Sequence, residues 1–314
     1  MTTAPFPFRS PSGRALALAL LATLSTGAAL ADTGKLVLTG GVSTVEGPAG
    51  GGLTPWAVIG TQATQGEKGV SIHTSRAVTD DYALNAYGAA VAIDDRFELS
   101  LARQDFRTGI TGSALGLPGL HLKQDILGAK VRVAGDAVLD SDSLMPQIAV
   151  GVQFKHLGST GLDGTLQALG AKRSGADVYV SATKLFLAQG ILVNGTLRAT
   201  KANQGGLLGF GATLGGADNR YELHPEISVA YLVRRDLAVG VEYRSMPNKL
   251  QTAGRAAGLG EGLRAGDWKD IFIAWAPSKN VSLTAAYVDL GTIVPATTNQ
   301  RKQRGVYVSA QFAF

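Results

Sequence analysis

The sequence predicts an all-β protein: a transmembrane antiparallel up-and-down β-barrel of 12 strands, or 14, behind a cleaved N-terminal signal peptide. Three observations carry this reading: an export leader, segments of about ten residues in period-two alternation, and connections that alternate between short and long. The 314 residues include no cysteine, 41 glycines, 45% apolar and 17% charged residues. That composition excludes a disulfide scaffold, a cysteine-ligated metal site and a disordered chain.

Residues 1–31 read as the leader. Arg9 and Arg14 stand in a polar, acid-free opening, Ala15–Ala22 forms a short apolar run, and Ala29-Leu30-Ala31 offers the small-x-small pattern for cleavage after Ala31. Thr23, Ser25, Thr26 and Gly27 interrupt the run well short of the roughly 20 apolar residues of a membrane helix. Losing Arg9 and Arg14 takes the formal charge from +5 to 27 − 24 = +3. The basic residues are scattered among acidic ones, so no nucleic-acid partner is expected, because phosphate binding needs clustered cations.

Past the leader the chain alternates. Ile227, Val229, Tyr231 and Val233 share one face of a strand whose other face holds Glu226, Ser228, Ala230, Leu232 and Arg234, and the next segment repeats the pattern. Strands are expected at 70–79, 82–93, 97–106, 121–135, 144–157, 176–187, 190–202, 221–234, 236–248, 268–276, 280–290 and 305–314. Tight turns fall at 94–96, 188–189, 235 and 277–279, with a longer one at 136–143. Long loops fall at 107–120, 158–175, 203–220, 249–267 and 291–304. Short turns on one rim and long loops on the other fit an outer-membrane barrel; the short turn after Thr79 is the exception. Glycine-rich residues 32–69 supply either two more strands, at 35–39 and 56–59, or a partial plug.

Hydrocarbon then assigns the faces. Backbone groups must be paired within the sheet, the apolar face meets lipid, and charge lines the lumen. Glu98, Lys130, Arg132, Lys155, Arg198, Glu222, Glu226, Arg234, Glu242, Arg244 and Asp270 are the expected lumen-lining charges. Tyr82, Tyr87, Tyr221, Tyr231, Tyr243, Trp268, Trp275 and Tyr287 are candidates for the two aromatic girdles. The last strand alternates Val306, Val308, Ala310, Phe312 and Phe314 against polar or small residues and stops at an aromatic. This ending resembles that of outer-membrane barrels, in which a terminal phenylalanine is read by the assembly machinery. The resemblance implies an assembly signal at Tyr307, Phe312 and Phe314.

A further likeness is more specific. Leu38-Thr39-Gly40-Gly41-Val42-Ser43, Gly50-Gly51-Gly52-Leu53-Thr54-Pro55-Trp56, Val180–Leu187, Thr200-Lys201-Ala202-Asn203-Gln204 and Leu283–Gly291 resemble a proteobacterial family, domain of unknown function family 3034. The likeness implies an exported Gram-negative outer-membrane protein and brings no activity or site residues with it.

Chemical motifs are sparse. His73, His121, His156 and His224 lie on separate segments without metal-ligand spacing, so neither metal nor cofactor is expected. Gly205–Gly211 lacks the following Lys-Ser/Thr of a phosphate loop and reads as a flexible connection. His73 and Ser75, two apart on one strand, resemble the pair of outer-membrane lipid hydrolases, although Arg76-Ala77-Val78 departs from that pattern. The leading expectation is therefore a non-enzymatic, porin-like passive channel for small solutes, with outer-membrane lipids and the barrel assembly machinery as its other partners. The alternatives are a plugged, gated transporter of apolar nutrients or a structural surface protein, and, more weakly, a hydrolase using His73 and Ser75.

Overall fold

Twelve strands close on themselves in the computed structural model, which describes residues 35, 37, 38, 40–136 and 144–314. The expected leader, with its cleavage residues Ala29 and Ala31, lies outside the described residues. A two-residue pair, β1 (Val42–Ser43) and β2 (Ala49–Gly50), precedes the barrel. The barrel strands are β3 (Lys68–Thr79), β4 (Ala83–Ile93), β5 (Phe97–Arg107), β6 (His121–Ala134), β7 (Gln147–Leu157) and β8 (Ser174–Phe186). They continue with β9 (Ile191–Thr200), β10 (Glu222–Arg234), β11 (Leu237–Arg244), β12 (Trp268–Ser278), β13 (Val281–Asp289) and β14 (Arg304–Ala313). Each pairs antiparallel with its chain neighbours, and β14 closes on β3 through Val306↔Val78 and Phe312↔Ile72. Of the two strand counts, twelve is the one that forms. Residues 56–59 stay out of the barrel sheet and lie buried within its lumen.

Alternation sorts the faces as hydrocarbon requires. In β10, Ile227, Val229, Tyr231 and Val233 are exposed on the outside, whereas Glu226, Ser228 and Ala230 are buried inside. Opposite them on β11, Val239 and Val241 face out while Ala238 and Glu242 face in. An apolar outer band on a sheet with no free edge is a structure for lipid, and the protein is an outer-membrane β-barrel. Tyr87, Tyr221, Tyr231, Tyr243, Trp275 and Tyr287 are exposed on the outer surface. Two of the expected girdle residues are not: Tyr82 and Trp268 are buried inside. Parity is the reason for Trp268, which stands seven residues from Trp275 and therefore on the opposite face of β12. Tyr82 turns in at the start of β4, where its hydroxyl meets that of Thr111 at 2.6 Å.

The long loops carry three short helices, α1 (Gly109–Ala114), α2 (Asp163–Ala168) and α3 (Lys249–Ala256), and fold over the mouth. Leu122, Leu157, Leu166, Leu208, Leu250 and Ile293 belong to one apolar cluster that caps this end. Gly205–Gly211, expected as a flexible connection, is a correction: the loop is buried, with Phe210 fully enclosed and Asn203 donating to the Leu208 and Gly211 carbonyls. Its glycines give the chain left-handed turns that let it descend into the barrel mouth, a role for glycine that composition alone does not separate from mobility.

Val229 sits near the middle of its strand on the outer face, so Val229→Arg should lower the stability of the refolded protein in lipid vesicles by about 2–4 kcal/mol. Urea titration of the refolded barrel measures this, and an effect near zero would remove the lipid assignment of that face.

Candidate functional site inside the barrel

The lumen is occupied by the chain's own N-terminal segment. Residues 41–61 are buried almost throughout, and Thr54, Ala57 and Ile59 are inaccessible to solvent. The segment has little regular structure of its own, so its backbone polar groups need partners elsewhere. Inward-facing side chains of the wall supply them. Glu98 accepts from Ala49 N–H at 3.0 Å and Gly60 N–H at 2.7 Å, while Lys130 donates to the Val58 carbonyl at 2.6 Å. The Pro55 carbonyl accepts from Thr196 at 2.7 Å and Ser181 at 3.2 Å. Ala57 is held on both sides, its N–H by Thr183 at 2.8 Å and its carbonyl by Gln147 at 2.8 Å. Gln104 donates to the Val45 carbonyl at 2.9 Å, and Gln311 accepts from Ser43 N–H at 2.5 Å.

Electrostatics fixes the centre. The wall brings three cations, Lys155, Arg198 and Arg244, against two anions, Asp177 and Glu226. Lys155 lies 2.7 Å from Asp177, and Arg198 lies 2.5 Å from Glu226. Glu46, on the plug, completes the set with contacts of 2.6 Å to Lys155, 3.2 Å to Arg198 and 2.9 Å to Arg244. All six are at least 97% buried, where an unbalanced charge is costly. Three cations against three anions is a neutral cluster, and the plug provides the third anion. Arg198 also stacks over Tyr179 and Arg244 over Trp268, at 5.4 and 5.5 Å from guanidinium carbon to ring centre.

A second latch lies further round the wall. Glu242 accepts from Leu53 N–H at 2.8 Å, Thr54 N–H at 3.3 Å, and the hydroxyls of Thr54 and Ser228 at 2.6 and 2.7 Å. The approach is close enough to demand glycine: a Cβ on Gly51 would stand 2.4 Å from Glu242 Oε1, and one on Gly50 would stand 2.0 Å from the Thr54 carbonyl oxygen. Asp270 pairs in register with Glu242, and its Oδ1 is buried without a hydrogen-bond partner among the described residues.

Of the eleven charges expected in the lumen, Glu98, Lys130, Lys155, Arg198, Glu226, Glu242, Arg244 and Asp270 face the interior between the rims. Arg132 stands at the short-turn rim beside Asp95 and Asp136, Arg234 at the same rim beside Asp236, and Glu222 at the long-loop rim against Lys249. Sequence reasoning missed Glu46 and Asp177. For Glu46 the signal existed, since it is the sole charged residue between Lys35 and Glu67. Tyr307 is buried in the lumen, whereas Phe312 and Phe314 are exposed on the outside. His73 and Ser75 both face the lumen and are buried, and neither ring nitrogen of His73 has a hydrogen-bond partner among the described residues. The pair is turned away from lipid, and among the described residues no acid is bonded to the imidazole.

Glu46→Gln leaves a cation without its counter-charge and should cost about 3–5 kcal/mol in urea unfolding. Combining it with Lys155→Met restores the balance of sign, so the double variant should recover part of that loss. Strictly additive losses would show that Glu46 is not the counter-ion.

Three solved outer-membrane proteins are among the structures similar to this chain. A solved KdgM porin in complex with disordered oligogalacturonate is 9% identical, covering 78% of this chain and 99% of that one, with a TM-score of 0.49. An outer membrane channel from Pseudomonas putida F1 is 13% identical, covering 81% of this chain and 97% of that one, with a TM-score of 0.46. Outer membrane phospholipase A from Escherichia coli is 11% identical, covering 78% and 92%, with a TM-score of 0.40. No curated protein matches the sequence. The matching family model spans residues 39–311, plug and barrel together, and the chain belongs to the family described as protein of unknown function (DUF3034).

Proposed function

We propose that the protein is an outer-membrane channel for small solutes, held shut by its own N-terminal segment. The observation that carries this reading is the ion cluster around Glu46: Lys155, Arg198 and Arg244 meet an equal number of anions only while residues 41–61 sit within the barrel. A barrel of twelve strands has room inside for more than its own side chains, and here the additional occupant is backbone. The wall residues that would face water in an open pore are hydrogen-bonding sockets for that backbone. Ser181, Thr183, Asn194 and Thr196 keep their value in either state, since water replaces the plug as their partner when the segment moves. Lys130, Lys155, Arg198 and Arg244, with Glu98, Asp177, Glu226 and Glu242, would then set the field across the open path. The expected passive channel and the expected plug are thus two states of one device.

Planar-bilayer recording tests the gate. The full chain should pass little current, and a variant lacking residues 40–60 should show steady ohmic conductance many times larger. Equal conductance in the two proteins would overturn the gate.

A further inference from the structure

The inner wall has two unlike halves. From β5 to β11 it carries Glu98, Lys130, Lys155, Asp177, Arg198, Glu226, Glu242 and Arg244, and most of the plug's hydrogen bonds go there. From β12 round to β4 the inward residues are mainly Phe272, Ala274, Ala286, Val288, Ala77, Ala86 and similar small or apolar groups, with Asp270, His73 and Tyr307 as the ionisable exceptions and Gln311 as a further polar one.

An apolar chamber lies on each side of the plug. The outer one, beneath the long loops, has about 560 Å³ of atom-free space, open solvent included. Leu84, Phe106, Leu208, Trp268, Val288 and Ile293 line it, with Val45 and Leu53 of the plug as its floor. The inner one, toward the short turns, has about 380 Å³ on the same measure. Leu192, Ala230, Leu232, Ala238, Phe272 and Ala274 line it, with Gly50, Gly51 and Trp56 of the plug as its roof. Salt and sugars gain nothing from walls of this kind, whereas an uncharged apolar solute does.

The two chambers share strand β12. Trp268 faces the outer chamber and Phe272 the inner, and between them on the same face stands Asp270, beside Glu242. Glu242 in turn grips the backbone of Leu53 and Thr54, so residues Gly51–Leu53 form a thin wall between the chambers.

We propose that the chambers are the outer and inner halves of one route for small, uncharged, apolar solutes, and that Gly51–Leu53, latched to Glu242, is the partition between them. This rests on the gated-channel reading and adds the substrate class and the part of the plug that parts.

Two measurements on the full chain test it. Crystals soaked in bromobenzene should show bromine anomalous density in the outer chamber among Phe106, Leu208 and Trp268. Leu208→Trp should abolish that peak, and Ala274→Phe should abolish any peak in the inner one. Bromine found only against the lipid-facing surface would overturn the chambers. In Gram-negative cells with an intact lipopolysaccharide leaflet, expression of the full chain should raise the initial rate of radiolabelled toluene entry several-fold. Leu208→Trp, checked for folding by heat-modifiable migration in gels, should return the rate to that of cells without the protein. Toluene entry unchanged by expression would overturn the route. If the variant lacking 40–60 conducts ions while the soaked chambers stay empty, the channel stands and the apolar route falls. If the chambers fill and toluene enters while that variant stays silent, the apolar route stands and the ion-conducting gate falls.

Discussion

A charge enclosed in a lipid-wrapped cylinder has to be answered from within the cylinder. The barrel wall supplies Lys155, Arg198 and Arg244 but only Asp177 and Glu226 to oppose them, and every one of these groups is withdrawn from solvent. An isolated buried ion costs several kcal/mol even after the surroundings relax. Glu46 removes that cost, and in doing so fixes where the segment that bears it must lie. The rest of the plug follows. Once Glu46 is anchored, the flanking backbone is inside the barrel and must find donors and acceptors there. The serines, threonines, asparagine and glutamines of β5, β7, β8, β9 and β14 are placed to receive it.

The sheet and the plug were unequally legible for a physical reason. A strand in a membrane barrel repeats the same demand at every second residue, so Ile227-Ser228-Val229-Ala230-Tyr231 states its environment locally. Strand positions and loop alternation could accordingly be read to within a few residues. The plug makes no such repeated demand. Its conformation is held by barrel-wall side chains from 38 to 268 positions away, as in Gly60 on Glu98 or Ser43 on Gln311, and nothing in 40–61 itself encodes those partners. Only Glu46 stood out locally, as a single charge in a neutral run too glycine-rich and too short to form its own core. The misplaced aromatics were a different failure. Trp268 and Tyr82 are near strand ends, as girdle residues are, but position along a strand says nothing about face, and counting parity from Trp275 separates the two tryptophans.

The division of the inner wall gives the plug a direction as well as a place. Its strong anchors all lie on one side, at Glu98, Lys130, Lys155, Arg198, Glu242 and Arg244, while β13, β3 and β4 meet it through small or apolar side chains. Contacts of the first kind are directional and resist sliding; those of the second are not. Displacement toward the apolar wall is therefore resisted chiefly by the anchors on the opposite side.

Breaking them is not a uniform task. Releasing the whole segment exposes the cluster at Glu46, strips Lys130 of three backbone carbonyls and frees Glu98 from two N–H groups, all at once. Moving Gly51–Leu53 alone keeps the contacts of Glu46, Lys130 and Glu98, and disturbs the grip of Glu242, the Arg244 bond to the Leu53 carbonyl and the Val45 N–H bond to the Gly52 carbonyl. Among the described residues Glu242 pairs with no cation, so this latch holds by hydrogen bonds alone. Each hydrogen bond it loses costs about 1 kcal/mol net if water or another partner takes its place. The barrel thus holds its plug most firmly where charge must be neutralised, and opening by the shorter movement keeps Glu46 among its three cations.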